Sequence, residues 1–230
     1  MPTYARKHQL TNSLVYHIYN RSSNRVPIFQ SVDDYHRFKI LLRAYSVRFL
    51  IKIYHWAIMQ NHFHLLIEIE NPEKISKVMA GLNRAYTHYY HGKYITAGHL
   101  WQGRFKAQAV QKKDYMVACG RYIERNPVKA GIATNAWDYL HSSAQFYCLG
   151  INDGITCDDP TYQEFGQDKE DRKTEYKKFL RDFDAEQEKQ FDTMENSVGS
   201  LEFMRRLVVE NGRIIPRRRG KPRSINHINI

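Results

Sequence analysis

Two histidines separated by one residue, His62 and His64, are the first side chains in this sequence whose spacing suggests chemistry. They lie in the apolar segment NHFHLLIEI, which has the composition of a β-strand. Side chains two residues apart on a strand project from the same face of the sheet, so both imidazoles point the same way. Such a pair suits a divalent cation, although two solvated or hydrogen-bonded histidines would give the same pattern.

A tyrosine and an asparagine four residues apart, Tyr122 and Asn126, are the second candidate. On a helix they share one face one turn apart, so the Asn126 amide oxygen can complete a metal site beside the phenol. Tyrosine is a nucleophile, but with a pKa near 10 only about one part in a thousand is ionised at pH 7. It therefore needs a metal or a base. The alternative is a packed tyrosine with Asn126 as a helix cap.

A second tyrosine, Tyr115, lies seven residues before Tyr122 and can share its helix face. It has no asparagine four residues further on, so we prefer Tyr122 as the nucleophile.

Seven elements must bring these residues together. Apolar periodicity predicts strands at residues 14–19, 51–59, 62–69 and 105–110, and helices from Ser31 onward, at 72–90 and at 114–125. Ser31 and Asp34 resemble a capping box at the start of the first helix, and Asn126-Pro127 predicts the end of the third. The order β, α, β, β, α, β, α is that of a ferredoxin-like split βαβ arrangement. We therefore predict an α+β fold: an antiparallel sheet with helices on one face, an added catalytic helix and a helical C-terminal extension.

Charge is distributed unevenly along the 230 residues. The formal net charge of +11 predicts a polyanionic partner. Residues 1–150 carry +12, residues 151–212 carry −7 and residues 213–230 carry +6. We predict a basic catalytic domain, an acidic helical extension and a flexible basic tail over these three ranges. The boundary is placed near 150–159, where Gly, Asn, Asp and Pro cluster in the segment LGINDGITCDDP. One hypothesis is that the acidic extension screens the basic domain or occupies its groove when the polyanion is absent.

Composition also excludes several classes of protein. The apolar fraction of 42% and charged fraction of 26% are those of a globular protein, and no apolar run approaches the length of a membrane span. The first residues lack a secretory signal, so a cytoplasmic location is expected. The three cysteines form no CxxC pair, which argues against a disulfide framework or a thiolate zinc site. No GxxxxGKS or GxxxxGKT phosphate loop occurs, so no nucleotide cofactor is expected.

Three motifs together resemble a known family. MQNHFHLLIE, HLWQGRFKAQAV and RYIERNPVKAG occur in the order and at the spacing of the single-tyrosine HUH transposases, specifically those associated with repetitive extragenic palindromes (REPs). The resemblance covers about residues 10–148. It implies a nuclease and strand transferase whose tyrosine attacks single-stranded DNA near a hairpin, stays joined to the 5′ phosphate and releases a 3′ hydroxyl.

Carried over residue by residue, the resemblance makes Tyr122 the nucleophile and His62, His64 and Asn126 the ligands of Mg²⁺ or Mn²⁺. Some relatives have Gln at the position of Asn126. The asparagine side chain is shorter than that of glutamine by one methylene. Because a phosphotyrosine link retains the energy of the cleaved bond, rejoining needs no ATP.

The expected partner is single-stranded or hairpin DNA, with no membrane contact, and the chain is expected to act as a monomer or homodimer. Basic residues interleaved with aromatic ones supply cations for phosphates and rings for bases. The DNA-binding candidates are Arg21, Arg25, Trp101, Arg104, Lys106, Lys112, Lys113, Arg121 and Arg125.

Two other functions fit the same residues. One is a domesticated, non-catalytic protein that binds a DNA or RNA hairpin and has vestigial histidines. The other is a metal-dependent phosphoesterase that uses activated water and forms no covalent intermediate.

Overall fold

The computed structural model describes residues 14–192, 194 and 197–211; the predicted basic tail, 213–230, lies outside the described residues. The strands are β1 (Val15–Arg21), β2 (Ile51–Met59), β3 (His62–Ile69) and β4 (Lys106–Val110). The helices are α1 (Val32–Phe49), α2 (Lys74–Tyr94), α3 (Asp114–Lys129), α4 (Ala144–Leu149), α5 (Lys169–Arg181), α6 (Ala185–Asp192) and α7 (Leu201–Asn211). These bounds lie close to those predicted for the four strands and for the starts of the first three helices.

The four strands form one antiparallel sheet in the order β2-β3-β1-β4. This is the strand order of the split βαβ arrangement, so the predicted α+β class is confirmed. The register of β1 on β3 pairs Tyr19 with His64 and Arg21 with His62. Both histidines therefore lie beside the end of the central strand β1.

Alternation along β3 divides the protein into two layers. Phe63, Leu65 and Ile67 pack into the core beneath α1 and α2. Leu66 faces the opposite side of the sheet, where it packs in a cluster with Cys119 and other residues of α3. The α3 helix thus covers the face of the sheet that carries His62 and His64.

The start of α1 is a capping box, as predicted. The carboxylate of Asp34 accepts the backbone N–H of Ser31 at 2.9 Å.

The predicted end of the third helix at Asn126-Pro127 is wrong, because α3 continues through Pro127 to Lys129. Proline has no N–H to donate, but this loss falls in the last turn, where it removes a single helical hydrogen bond. Pro127 is buried, and its carbonyl accepts the N–H of Ile132 at 2.8 Å. The extra residues keep Lys129 helical, almost two turns after Tyr122 and on the same face.

The chain crosses the predicted boundary at 150–159 without a break in packing. Trp56 of β2 donates its indole N–H to Thr156 at 2.9 Å, and Asp159 is fully buried against His55 at 3.0 Å. Tyr176 of α5 donates to the carboxylate of Glu124 on α3 at 2.9 Å. Residues 151–192 therefore pack against β2 and α3 and do not form a separate domain.

The close approach of α3 to β2 depends on Gly120. A Cβ atom at this position would lie 2.6 Å from the ring of His55, which is itself fully buried. We expect Gly120→Ala to lower the free energy of unfolding by about 1–3 kcal/mol, since the core has no room for the methyl group. Urea denaturation measures the change.

The matched control is Gly92→Ala in α2, where the added Cβ meets no atom within 4 Å. Alanine should raise stability there by up to about 1 kcal/mol through helix propensity. Equal effects at the two positions would show that packing against His55 is unimportant.

Candidate active site

A pocket of about 750 Å³ opens where β1, β3 and α3 meet. Its walls include His62, His64, Tyr122 and Asn126, the four residues singled out for metal binding and nucleophilic attack. The fold thus brings together two segments that are about 60 residues apart in sequence. Tyr115 is not among the residues that line the pocket.

His64 is oriented by a buried relay of side chains. Its Nδ1 lies 2.8 Å from Nε2 of His17, and Nδ1 of His17 lies 3.4 Å from Oε1 of Gln108. The Gln108 oxygen can only accept, so His17 carries its proton on Nδ1 and accepts from His64 through Nε2. The Nε2 lone pair of His64 is therefore left for a ligand.

His62 is oriented in the same sense by its neighbour. Its Nδ1 donates to Oδ1 of Asn61 at 2.6 Å, which leaves Nε2 as the electron-pair donor. The two imidazole centroids lie 5.2 Å apart with the rings nearly perpendicular. Two imidazole nitrogens on one strand face are thus both available to a cation.

Both imidazoles are held in the neutral form that metals bind. Burial, followed by the charge of Arg21, lowers the pKa of His62 to about 4. Burial and then the neighbouring imidazoles of His17 and His62 lower the pKa of His64 well below its ordinary value. Neither needs to release a proton at neutral pH before it coordinates.

The third candidate donor for a cation is Asn126, an amide. Among the described residues, no three His, Cys, Asp or Glu side chains are grouped to hold a metal ion. Asn126 donates its Nδ2 hydrogen to the carbonyl of Tyr122 at 2.8 Å, a bond that uses the amide donor and not the acceptor oxygen. Two imidazole nitrogens and one amide oxygen fit a divalent cation.

The Tyr122 phenol faces this histidine pair. Its ring lies 5.7 Å from that of His64 in an edge-on arrangement, and its hydroxyl donates to Asp192 at 3.1 Å. Burial, followed by the charge of Asp192, raises the pKa of Tyr122 above its ordinary value. The phenol is therefore protonated and has to lose its proton when it attacks.

Sequence reasoning did not find Asp192 or Lys129, which also line the pocket. Lys129 carried a usable signal, because seven residues after Tyr122 is nearly two helical turns. Asp192 carried none, since it belongs to α6 and is 70 residues from Tyr122. Its presence in the pocket agrees with the hypothesis that the extension reaches the groove.

Three of the predicted DNA-binding residues lie at the pocket: Arg21, Arg104 and Lys106. Arg25 is exposed in the turn after β1. Trp101 is instead used in packing, since its ring lies 5.5 Å from Phe63 and its indole N–H donates to Thr87 at 3.1 Å.

The prediction that Arg121 and Arg125 contact DNA is wrong, because both side chains are buried under the extension. Arg121 donates to the carbonyl of Asp182 at 2.6 Å and to Gln187 at 2.8 Å. Arg125 pairs with Glu188 at 3.1 Å and donates to a carbonyl of α5. The two arginines hold α5 and α6 on α3.

Lys112 and Lys113 are also not part of the pocket. Lys112 pairs with Glu68, which lies six residues along β3 from His62, about 20 Å at the rise of a strand. Lys113 is the residue next to Lys112, immediately before α3.

The IS200-like transposase family model matches residues 10–126, just over half of the chain. The chain belongs to this family. The matched range contains the four residues predicted for metal binding and nucleophilic attack and ends before Lys129 and Asp192.

A solved structure of a REP-associated tyrosine transposase bound to a REP hairpin is similar to this transposase in fold. The TM-score is 0.54 at 19% sequence identity, and the alignment covers 69% of this chain and 93% of that chain. A search of curated proteins gave no match. In the part of the chain that the structure describes, no helix has the length and apolar character needed to cross a bilayer.

Proposed function

We propose that this transposase cleaves and rejoins single-stranded DNA next to a hairpin through a covalent bond between Tyr122 and a 5′ phosphate. The observation that carries the proposal is the shared pocket, in which the phenol faces two neutral imidazoles on the same side of the sheet. The similar structure holds a REP hairpin, which supports hairpin DNA as the partner and the REP-associated subgroup as the functional class.

His62, His64 and Asn126 would hold a divalent cation, Mg²⁺ or Mn²⁺. When bound, such an ion polarises the scissile phosphate and offsets its charge. Arg21, Arg104 and Lys106 supply further positive charge for the flanking phosphates.

The Tyr122 oxygen forms a bond to phosphorus as the bond from phosphorus to the 3′ oxygen breaks. The strand upstream leaves with a 3′ hydroxyl, and the phosphotyrosine keeps the energy needed for rejoining. One chain supplies both the phenol and the imidazoles of the pocket, which supports a proposal in which the tyrosine acts in its own chain, whether the protein is a monomer or a homodimer.

The test uses the full chain, Mn²⁺ and a labelled pool of single-stranded hairpin oligonucleotides with randomised flanks. We expect a protein–DNA adduct that survives denaturing electrophoresis, that disappears with EDTA, and in which mass spectrometry locates the DNA on Tyr122. Cleavage without an adduct would favour the water-activating phosphoesterase. Binding without cleavage by any member of the pool would favour the non-catalytic hairpin-binding protein.

The His17 relay gives a separate prediction for metal binding. His17→Leu removes the partner that orients His64, so we expect Mn²⁺ affinity measured by calorimetry to fall about 10–100-fold. His99→Leu, at an exposed loop position away from the pocket, is the control and should bind Mn²⁺ normally. Unchanged affinity in His17→Leu would mean that the relay does not orient a ligand.

A further inference from the structure

Asp192, the last residue of α6, brings a carboxylate to the nucleophile. The Tyr122 hydroxyl donates to its Oδ1 at 3.1 Å, and Lys129 Nζ lies 3.0 and 3.2 Å from its two oxygens. The Lys129 ammonium also lies 5.4 Å from the centre of the Tyr122 ring. Two of these three side chains lie outside the range that the family model matches.

The position of Asp192 is fixed by buried contacts on both sides of α6. Phe191 is buried with its ring 5.4 Å from that of Tyr122, and Glu188 is buried in its pair with Arg125. Gln108, the residue that orients His17, donates its Nε2 hydrogen to the carbonyl of Gln190 at 3.0 Å. The end of α6 is thus attached to the same relay that orients His64.

We propose that Asp192 is the catalytic base that accepts the phenol proton of Tyr122 during cleavage and returns it during rejoining. This inference rests on the proposed function. As the Tyr122 oxygen bonds to phosphorus, its proton passes to the Asp192 carboxylate, and the departing 3′ oxygen takes a proton from solvent. In rejoining, a 3′ hydroxyl attacks phosphorus and loses its proton to solvent, while the neutral Asp192 carboxyl protonates the released phenolate.

The pocket offers the phenol no other proton acceptor in hydrogen-bond contact among the described residues. The nitrogen of His64 that faces His17 is engaged in the relay. The phenol hydrogen points at the Asp192 carboxylate, and attack on phosphorus is slow unless this proton leaves at the same time. Lys129 acts as a positioning residue, because it holds both carboxylate oxygens and places positive charge near the ring on which phenolate character develops.

The same contact has an opposite interpretation, in which Asp192 occupies the phosphate site and blocks it. The two interpretations predict changes of opposite sign for Asp192→Asn. If Asp192 is the base, its replacement slows adduct formation. If Asp192 blocks the phosphate site, removal of its charge speeds adduct formation.

The experiment measures single-turnover adduct formation by the full chain on an oligonucleotide that the wild type cleaves. We expect Asp192→Asn to slow the reaction about 10²-fold or more, the usual range for loss of a general base. DNA affinity, measured by fluorescence anisotropy, should not weaken. Glu186→Gln is the control, since it makes the same charge change at an exposed position of α6 and should react at the wild-type rate. A rate equal to or above wild type in Asp192→Asn would overturn the inference.

A second substrate separates a role at the nucleophile from one at the leaving group. With a 3′-thio substitution at the scissile bond the departing sulfur needs no proton, so the Asp192→Asn defect should persist. Disappearance of the defect would assign Asp192 to the leaving group and overturn the proposal. Lys129→Met should slow the reaction at unchanged DNA affinity, and Lys129→Arg should restore it. If the wild type formed no adduct with any member of the oligonucleotide pool, the proposed function itself would fail.

Discussion

Tyr122→Phe should abolish the covalent protein–DNA adduct while binding of hairpin DNA stays within about twofold of the wild type. The substitution removes the attacking oxygen and keeps the ring, which packs on Phe191 and faces His64. Only the hydrogen bond to Asp192 is lost, so stability should change by about 1 kcal/mol. Loss of a nucleophile without a substitute leaves no route to the adduct, and we expect a decrease of at least about 10³-fold.

Denaturing electrophoresis measures the adduct, and fluorescence anisotropy with the same labelled oligonucleotide measures binding. Tyr115→Phe is the matched control, because this tyrosine belongs to the same helix and does not line the pocket. It should form the adduct normally. An adduct that persists in Tyr122→Phe, or that disappears in Tyr115→Phe, would contradict the assignment.

We expect His55→Ala to lower the free energy of unfolding more than Gly120→Ala or Tyr122→Phe does. The fully buried His55 ring lies between two carboxylates, with Nδ1 at 2.9 Å from Glu124 and Nε2 at 3.0 Å from Asp159. Removing one partner of a buried ionic group leaves the others uncompensated, which lowers the free energy of unfolding by about 3–5 kcal/mol. Urea denaturation at pH 6 measures the loss, with His99→Ala at an exposed loop position as the control.

The His55 effect should depend on pH in a defined direction. Burial alone would lower the pKa of His55, but the charge of Glu124 and the hydrogen bonds to both carboxylates raise it to about 9. The unfolded chain has the ordinary value near 6.5, so the contribution is fully present below pH 6.5 and is lost as pH rises through about 9. The stability difference between wild type and His55→Ala should therefore be larger at pH 6 than at pH 10. A difference that does not change with pH would mean that His55 is neutral in the folded protein.

Local sequence patterns were sufficient to predict the central part of the candidate site. The two-residue period of β3 places His62 and His64 on one face, and the helical period of α3 places Asn126 one turn after Tyr122. Both are relations within one element. The order of elements then limits the sheet to few arrangements, and in the one observed β3 and α3 share the pocket.

The errors in the predicted DNA contacts have one physical cause: the sequence shows that a side chain is charged but does not show which group it pairs with in the fold. Arg121 and Arg125 are predicted to contact DNA as basic residues interleaved with aromatic ones, but their partners lie on α5, on α6 and between them, more than 50 residues later. The acidic extension neutralises part of the basic domain by direct packing. His55 and Asp159, 104 residues apart, are likewise joined only by the folded structure.

The helix that carries Tyr122 is held in place on two sides. Glu124 contacts His55 of β2, and Arg121 and Arg125 contact the extension. Swinging this helix outward would expose buried charges on both sides at once. In the proposed reaction, a DNA end joined to Tyr122 is therefore held on a helix that keeps its place on the sheet. Exchange of one strand for another in that reaction then requires movement of the nucleic acid, whose free 3′ terminus must reach the tethered phosphate within the same pocket.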